Sequence, residues 1–295
     1  MKLSYYINSL VNRRWALGIV KGGMKSVFED NQLKVDWIKM PKDRWFADPF
    51  ILDVTNTEII LLVEDFAYKT KKGVISLLRI DKKSFHIVSR KVLLELDTHL
   101  SFPIILRKNG HIYVYPESRN SGRLDMYEFD VQHELLHFVA TICDDEIWDS
   151  AIVDFWEEPL LFTTAKDNFQ LDIYKWNNDI NRFTPYQVIP STTPNSRLGG
   201  APFAYNGKLY YPAQDCSSEY GGALDIKRID RKNDKFIFTT IKHISSPHPK
   251  YPLGLHTLNE FKGVVVIDVN GWRYGKLSAF LHSIIEFLRH INEHD

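Results

Sequence analysis

Val74-Ile75-Ser76-Leu77-Leu78-Arg79-Ile80-Asp81 is a phrase that this chain repeats. Versions of it stand at Arg123-Leu124-Asp125-Met126-Tyr127-Glu128-Phe129-Asp130, at Gln170-Leu171-Asp172-Ile173-Tyr174-Lys175-Trp176-Asn177 and at Ala223-Leu224-Asp225-Ile226-Lys227-Arg228-Ile229-Asp230. The copies lie about 50 residues apart, and a period of that size built on alternating apolar residues marks a propeller or a related repeat array. In a propeller the polar mouth of the central channel is the expected place for chemistry.

Working outward, each phrase is preceded by a second apolar run: Glu58–Val63, His111–Tyr115, Pro159–Phe162 and Lys208–Tyr211, with Val264–Ile267 as a fifth. Asn109-Gly110 and Asn206-Gly207 introduce two of these runs, and both residue types tolerate the positive φ of a tight hairpin. Fourth strands follow near 84–95, 134–142, 183–189 and 235–244. The reading is an all-β protein, one five-bladed β-propeller over 1–295, with blades near 45–97, 98–146, 147–194, 195–250 and 251–274. The fifth blade lacks its outer strands, and Trp15–Val20 near the N-terminus is expected to supply one, so closing the ring. After it, Leu277, Phe280, Leu281, Ile284, Ile285, Leu288 and Ile291 recur at helical spacing, which predicts a C-terminal amphipathic helix over 277–291. Its apolar face is expected against the propeller's side, with a homodimer contact as the sharper use.

Lys and Arg balance Asp and Glu to a formal charge of zero, so no global field draws nucleic acid or anionic lipid. Cys143 and Cys216 have no metal-ligand spacing and read as free thiols, and no residue is assigned to a metal. Met1–Val20 has no apolar core followed by a small-residue cleavage site, and no stretch approaches the ~18 apolar residues of a membrane span. A cytoplasmic location is the expectation.

The blade starts read Trp45-Phe46-Ala47-Asp48-Pro49-Phe50, His99-Leu100-Ser101-Phe102-Pro103, Trp148-Asp149-Ser150-Ala151, Arg197-Leu198-Gly199-Gly200-Ala201-Pro202 and Gly254-Leu255-His256-Thr257. They deliver Asp48, Ser101, Asp149, Arg197 and His256 toward one axis, and the second strands end in Glu64, Glu117, Asp215 and Asp268. Convergent carboxyls are the kit of glycoside chemistry, one protonating a leaving oxygen while another activates water or attacks the anomeric carbon. Asp-Pro and Asp-Ser also form turns, but acids at equivalent ends of several repeats are not needed for packing. Trp45, Trp148, Tyr115 and Tyr220 neighbour these acids, as sugar-stacking rings or as inter-blade filler, and Cys216 is read as structural.

The set Phe46-Ala47-Asp48-Pro49-Phe50, Glu64, His99-Leu100-Ser101-Phe102-Pro103, Pro116-Glu117, Asp149-Ser150, Arg197-Leu198-Gly199-Gly200, Pro212-Ala213-Gln214-Asp215 and Tyr220-Gly221 resembles the N-terminal domain of glucosamine inositolphosphorylceramide transferases. More distantly, the chain resembles the five-bladed propellers of glycoside hydrolase families 43, 32 and 62. The family 43 resemblance implies Asp48 as base, Asp149 as the acid that tunes its partner, and His256 near a channel ion. That family's general acid belongs at the fourth-blade start, where this chain has Gly199-Gly200, so Glu117, or failing it Glu64, is the candidate proton donor. The expected catalytic set is Asp48, Glu117 and Asp149, and the expected substrate contacts are Trp45, Glu64, His99, Ser101, Arg197, Asp215, Tyr220 and His256. Two functions follow: an enzyme hydrolysing or transferring at glycosidic bonds in surface-polysaccharide or glycoconjugate metabolism, or a non-catalytic sugar-binding module. The expected ligand is a carbohydrate, nucleotide sugar or glycolipid.

Overall fold

The computed structural model describes residues 12–156, 158–164 and 170–292, so of the stretch read for a leader only residues before Asn12 lie outside it. Five four-stranded antiparallel sheets form the blades of a propeller. From axis to rim, the first is Arg44–Val54, Glu58–Ala67, Gly73–Asp81 and Ile87–Leu94. The second is Ser101–Lys108, His111–Glu117, Leu124–Asp130 and Leu135–Cys143. The third is Trp148–Val153, Leu160–Thr164, Gln170–Asn177 and Arg182–Pro190, and the fourth Phe203–Tyr205, Lys208–Asp215, Ala223–Lys232 and Lys235–Ser245.

The fifth blade is assembled from both parts of the chain. Gly254–Phe261 and Val264–Trp272 are its inner strands, and Arg13–Val20 pairs with the latter from Arg13↔Trp272 to Val20↔Val265. Val35–Trp37 adds the rim strand, which three residues were too short to announce in the sequence.

Burial explains why the inner strands read as continuous apolar runs. Ile59 to Val63 are all buried, because a blade covers both faces of its inner strands with neighbouring blades. The rim strand Ile87–Leu94 is mostly half-buried or exposed, so its sequence turns polar. Both Asn-Gly pairs are tight turns, with φ of 54° and 82° at Asn109-Gly110 and 49° and 72° at Asn206-Gly207. Lys262-Gly263 adopts the same pair of angles, 51° and 77°, with lysine where Asn would have signalled the turn.

The C-terminal helix spans Lys276–Asn292, and among the described residues no helix is long and apolar enough to cross a membrane. Leu277, Phe280 and Ile284 face solvent, whereas Ser278 is buried and His282 packs its ring 4.7 Å from Trp272. The helix therefore leaves part of its apolar stripe uncovered rather than laying all of it on the propeller. The side chains of Leu288 and Ile291 are outside the described set.

Candidate functional site

Three of the inner strands carry the same irregularity near their mouth end. Register shifts fall between Ala47 and Phe50, between Ser101 and Ile104, and between Trp148 and Ala151. Each is a β-bulge, and its first residue is left-handed: φ is 49° at Asp48, 44° at Phe102 and 43° at Asp149. Such angles are strained for side chains other than glycine and persist only where surroundings impose them. Pro49 and Pro103 follow two of these residues, since a bulge leaves an N–H unpaired and so tolerates a residue without one.

What imposes the strain is a set of carboxylates gripping backbone N–H groups. The Asp48 N–H donates to Asp268 Oδ2 at 2.9 Å, the Phe102 N–H to Asp48 Oδ2 at 3.0 Å and the Asp149 N–H to Glu117 Oε2 at 2.9 Å. In the fifth blade the Thr257 N–H donates to Asp268 Oδ1 at 2.7 Å, beside a further register shift at His256. The acids at the mouth are thus both structural clamps and candidate reactive groups.

Two clusters result. In the first, Arg197 Nε donates to Asp149 Oδ2, Gln214 Nε2 donates to the same oxygen at 2.9 Å, and Arg197 Nη2 lies 3.7 Å from Glu117 Oε2. The guanidinium sits between the rings of Trp148 and Tyr220, 5.1 Å from each centroid. Burial would raise the Asp149 carboxyl, but the Arg197 charge outweighs it and holds the group below the usual carboxylate range. Burial, and then the charge of Asp149, push Glu117 well above that range. The two carboxyls are thus pushed in opposite directions, and the Asp149 N–H bond to Glu117 Oε2 holds them together.

The second cluster centres on His256, which is 4% exposed. Its Nδ1 lies 3.1 Å from Asp268 Oδ2 and 3.3 Å from Asp48 Oδ1, and its Nε2 lies 3.0 Å from the Tyr220 hydroxyl. Burial works against charge on the ring, but Asp268 and then Asp48 outweigh it and raise its pKa to about 9. Burial in turn pushes the Asp48 carboxyl well above its usual value, partly offset by His256. Asp48, His256 and Asp268 offer a cation one nitrogen and two oxygens within 4.8 Å of one another. Both oxygens, however, approach Nδ1 at the distance of an N–H···O contact, and a ligating imidazole must give up that proton. The three atoms could hold a cation only with Nδ1 deprotonated.

His256 also sets a pH dependence. Its folded pKa of about 9 exceeds the ordinary 6.5, so its contribution to stability is complete below pH 6.5 and is lost as pH rises through 9. Thermal unfolding is expected to move to lower temperature across that window, and His256→Gln should flatten the slope. A wild-type melting profile level from pH 6.5 to 9.5 would contradict it.

Around these clusters the expected contacts divide. Trp45 stacks on Phe66 at 4.6 Å and leans on Trp15, whose ring is 4.5 Å from His256. His99 takes the Gly73 N–H at Nδ1, 2.9 Å away, so its Nε2 carries the proton donated to Glu64 Oε1 at 3.0 Å. Burial lowers its proton affinity, but the bond to Glu64 outweighs this and the pKa is raised. Ser101 does not take Asp48's place: it pairs with Glu117 as Ala47 pairs with Glu64, so Phe102 is the equivalent of Asp48. Asp215 does not join either cluster. Its carboxylate accepts the Ser217 N–H at 3.0 Å and lies 3.9 Å from His243 on the rim strand, one residue past the position that faces Asp149. The fully buried Gln214 holds that position, and as a neutral amide it offered no signal in the sequence. Asp268 was visible as a strand-end acid, but its double grip on Asp48 and Thr257 needs the ring closed.

The chain matches the family described as glucosamine inositolphosphorylceramide transferase 1, N-terminal, over residues 37–246. The Arabidopsis thaliana protein named glucosamine inositolphosphorylceramide transferase 1 is 29% identical over 199 residues, which cover 63% of this chain and 26% of that protein. The protein of that name from Oryza sativa subsp. japonica is 26% identical over 200 residues, with the same coverage of 63% and 26%. The match thus spans about a quarter of the length of these relatives. Among solved structures, RS223 β-xylosidase superposes with a TM-score of 0.55 at 13% identity, covering 78% of this chain and 93% of that one. A GH43_1 enzyme from Xanthomonas citri gives 0.54 at 10% identity, covering 78% and 88%. These likenesses establish a five-bladed propeller of the kind GH43 enzymes use. By its match over more than half its length, the chain belongs to the family of glucosamine inositolphosphorylceramide transferase N-terminal domains.

Proposed function

We propose that the mouth binds a carbohydrate and makes or breaks a glycosidic bond there. The observation that carries this reading is the division of labour in the first cluster, where Arg197 grips Asp149 and lowers its pKa while burial, and then Asp149, raise that of Glu117. Paired carboxyls pushed to opposite protonation states are what acid–base chemistry at a glycosidic oxygen requires. Glu117 is the proton donor, Asp149 holds and tunes it, and Asp48 is the base or nucleophile. Gln214 Oε1 is buried without a hydrogen-bond partner, which leaves an acceptor for a ligand or water. The relatives' name favours sugar transfer in glycoconjugate synthesis, and the reading takes a nucleotide sugar as donor and a glycolipid as acceptor.

The test offers aryl glycosides, and nucleotide sugars with glycolipid acceptors, to the wild type, Glu117→Gln and Asp48→Asn. Each substitution is expected to lower turnover about 10²–10⁴-fold while sugar binding persists. The competing reading, a non-catalytic sugar-binding module, is favoured by the acid-free Gly199-Gly200 at the fourth-blade start. Wild-type binding without turnover on any donor would decide for it.

A further inference from the structure

We propose that the groove between the fifth and first blades binds a phosphate ester, at a site separate from the mouth. It lies where the chain leaves the rim strand Val35–Trp37 and crosses to the first inner strand, facing the rim strand Ile87–Leu94. Its volume is about 450 Å³, far more than a bare phosphate fills. Lys39, Arg44, His86 and Arg90 line it, and no carboxylate is among the lining residues. Met40, Pro41 and Ile87 supply an aliphatic floor. No residue of the two mouth clusters lines it, so the proposal does not rest on the carbohydrate reading.

Carboxylates behind the groove place its cations. The Asp65 side chain is fully buried and gathers donors from the other three strands of its blade. Arg44 Nη1 donates to its Oδ1 at 3.1 Å, while Ser76 Oγ, at 2.7 Å, and Arg90 Nε both donate to Oδ2. The exposed Asp43 takes the rest of the Arg44 guanidinium, through Nε at 3.1 Å and Nη2 at 2.9 Å. Arg90 keeps both terminal nitrogens unused, and the Lys39 ammonium has no partner among the described residues. Arg14 stands behind the same wall. Its Nη2 donates to the Met40 and Pro41 carbonyls at 3.3 and 2.6 Å, and it too has no carboxylate partner among the described residues. Arg14, Lys39, Arg44 and Arg90 therefore face only Asp43 and Asp65, and two positive charges are left over although the whole chain is neutral. That excess matches a phosphate dianion better than a carboxylate, which a single guanidinium would satisfy. Arg90 offers the fork for two phosphate oxygens and Lys39 a point charge beside it, while the ester's carbon skeleton lies on the aliphatic floor.

The test uses two probes in a fixed chloride background. Glycerol 3-phosphate is followed by calorimetry, and phosphatidylcholine vesicles with or without phosphatidylglycerol by co-sedimentation. The wild type is expected to bind a phosphate probe, and Arg90→Gln to bind it about tenfold more weakly. Because Arg90 also holds Asp65, Lys39→Ala serves as the variant that leaves the fold alone: it should melt with the wild type and bind about threefold more weakly. Lys208→Ala, an exposed lysine on the fourth blade, should bind as the wild type does. Binding of glycerol 3-phosphate without the vesicles identifies a soluble ester as the ligand. Binding of the phosphatidylglycerol vesicles alone identifies a lipid headgroup, and either result supports the site. The proposal is overturned if the wild type binds neither probe, or if Lys39→Ala with Arg90→Gln binds undiminished. An equal loss in Lys208→Ala would also sink it, because the attraction would then belong to the general surface and not to the groove.

Discussion

Replacing Arg197 by alanine is expected to destabilise the protein by about 3–5 kcal/mol and to abolish any turnover. The side chain is only 12% exposed and holds Asp149, itself 4% exposed at the side chain, through its Nε. Removing it leaves a buried carboxylate with only the Gln214 amide as a side-chain donor, so Asp149 must either remain charged at high cost or take up a proton. If it takes up the proton, the ionised member of the pair is lost, and the acid–carboxylate division collapses with it. Urea unfolding measures the first effect and glycoside turnover the second. The double substitution Arg197→Ala with Asp149→Asn should recover much of the stability and none of the turnover, because no charge is then stranded. A single-variant loss below about 1 kcal/mol would mean that the pair is not functionally buried.

Placing an acid at the fourth-blade start should fail more completely. Gly200→Glu is expected to yield little folded protein, and even Gly200→Ala to lose about 2–6 kcal/mol, read from soluble yield and thermal unfolding. Gly200 has φ of 148°, and a Cβ there would stand 2.1 Å from the Leu258 carbonyl oxygen. Gly199 is as confined: its Cβ would meet Leu224 Cδ2 at 2.4 Å and the His256 carbonyl at 2.6 Å. The reason is that this segment hydrogen-bonds directly to the fifth blade, with the Leu258 N–H donating to Gly199 O at 2.8 Å and the Ala201 N–H to Asn259 Oδ1 at 2.8 Å. Backbone fills the space in which a fourth-blade acid would sit. Normal folding of Gly200→Glu would show that the blades can separate there, and would reopen that position for catalysis.

Much of this architecture was readable because propeller strands carry two independent signals. Inner strands are covered on both faces, so Ile59–Val63 read as an unbroken apolar run, while Asn109-Gly110 marked a turn by its need for positive φ. The mouth was readable because acids recurring at equivalent strand ends are not needed for packing, and Asp48, Glu117, Asp149, Arg197 and His256 do converge there in two clusters. What stayed hidden depended on register and on neutral groups. Ser101 was aligned with Asp48 because sequence spacing does not count a bulge, and one residue's slip makes Phe102 the true equivalent. Asp215 was preferred to Gln214 because a charge is more conspicuous in a sequence than an amide. Val35–Trp37 was missed because three residues carry no periodicity.

The ring is sewn shut beside the site and not away from it. Arg13–Val20 completes the fifth blade, Trp15 on that strand covers His256, and Asp268 of the same blade reaches across to the Asp48 backbone of the first. The proton held by His256 is therefore a gauge of ring closure: loosening of the N-terminal strand would admit water to the imidazole and lower its pKa before the other blades respond. A property usually assigned to catalysis would here report the integrity of the whole circle.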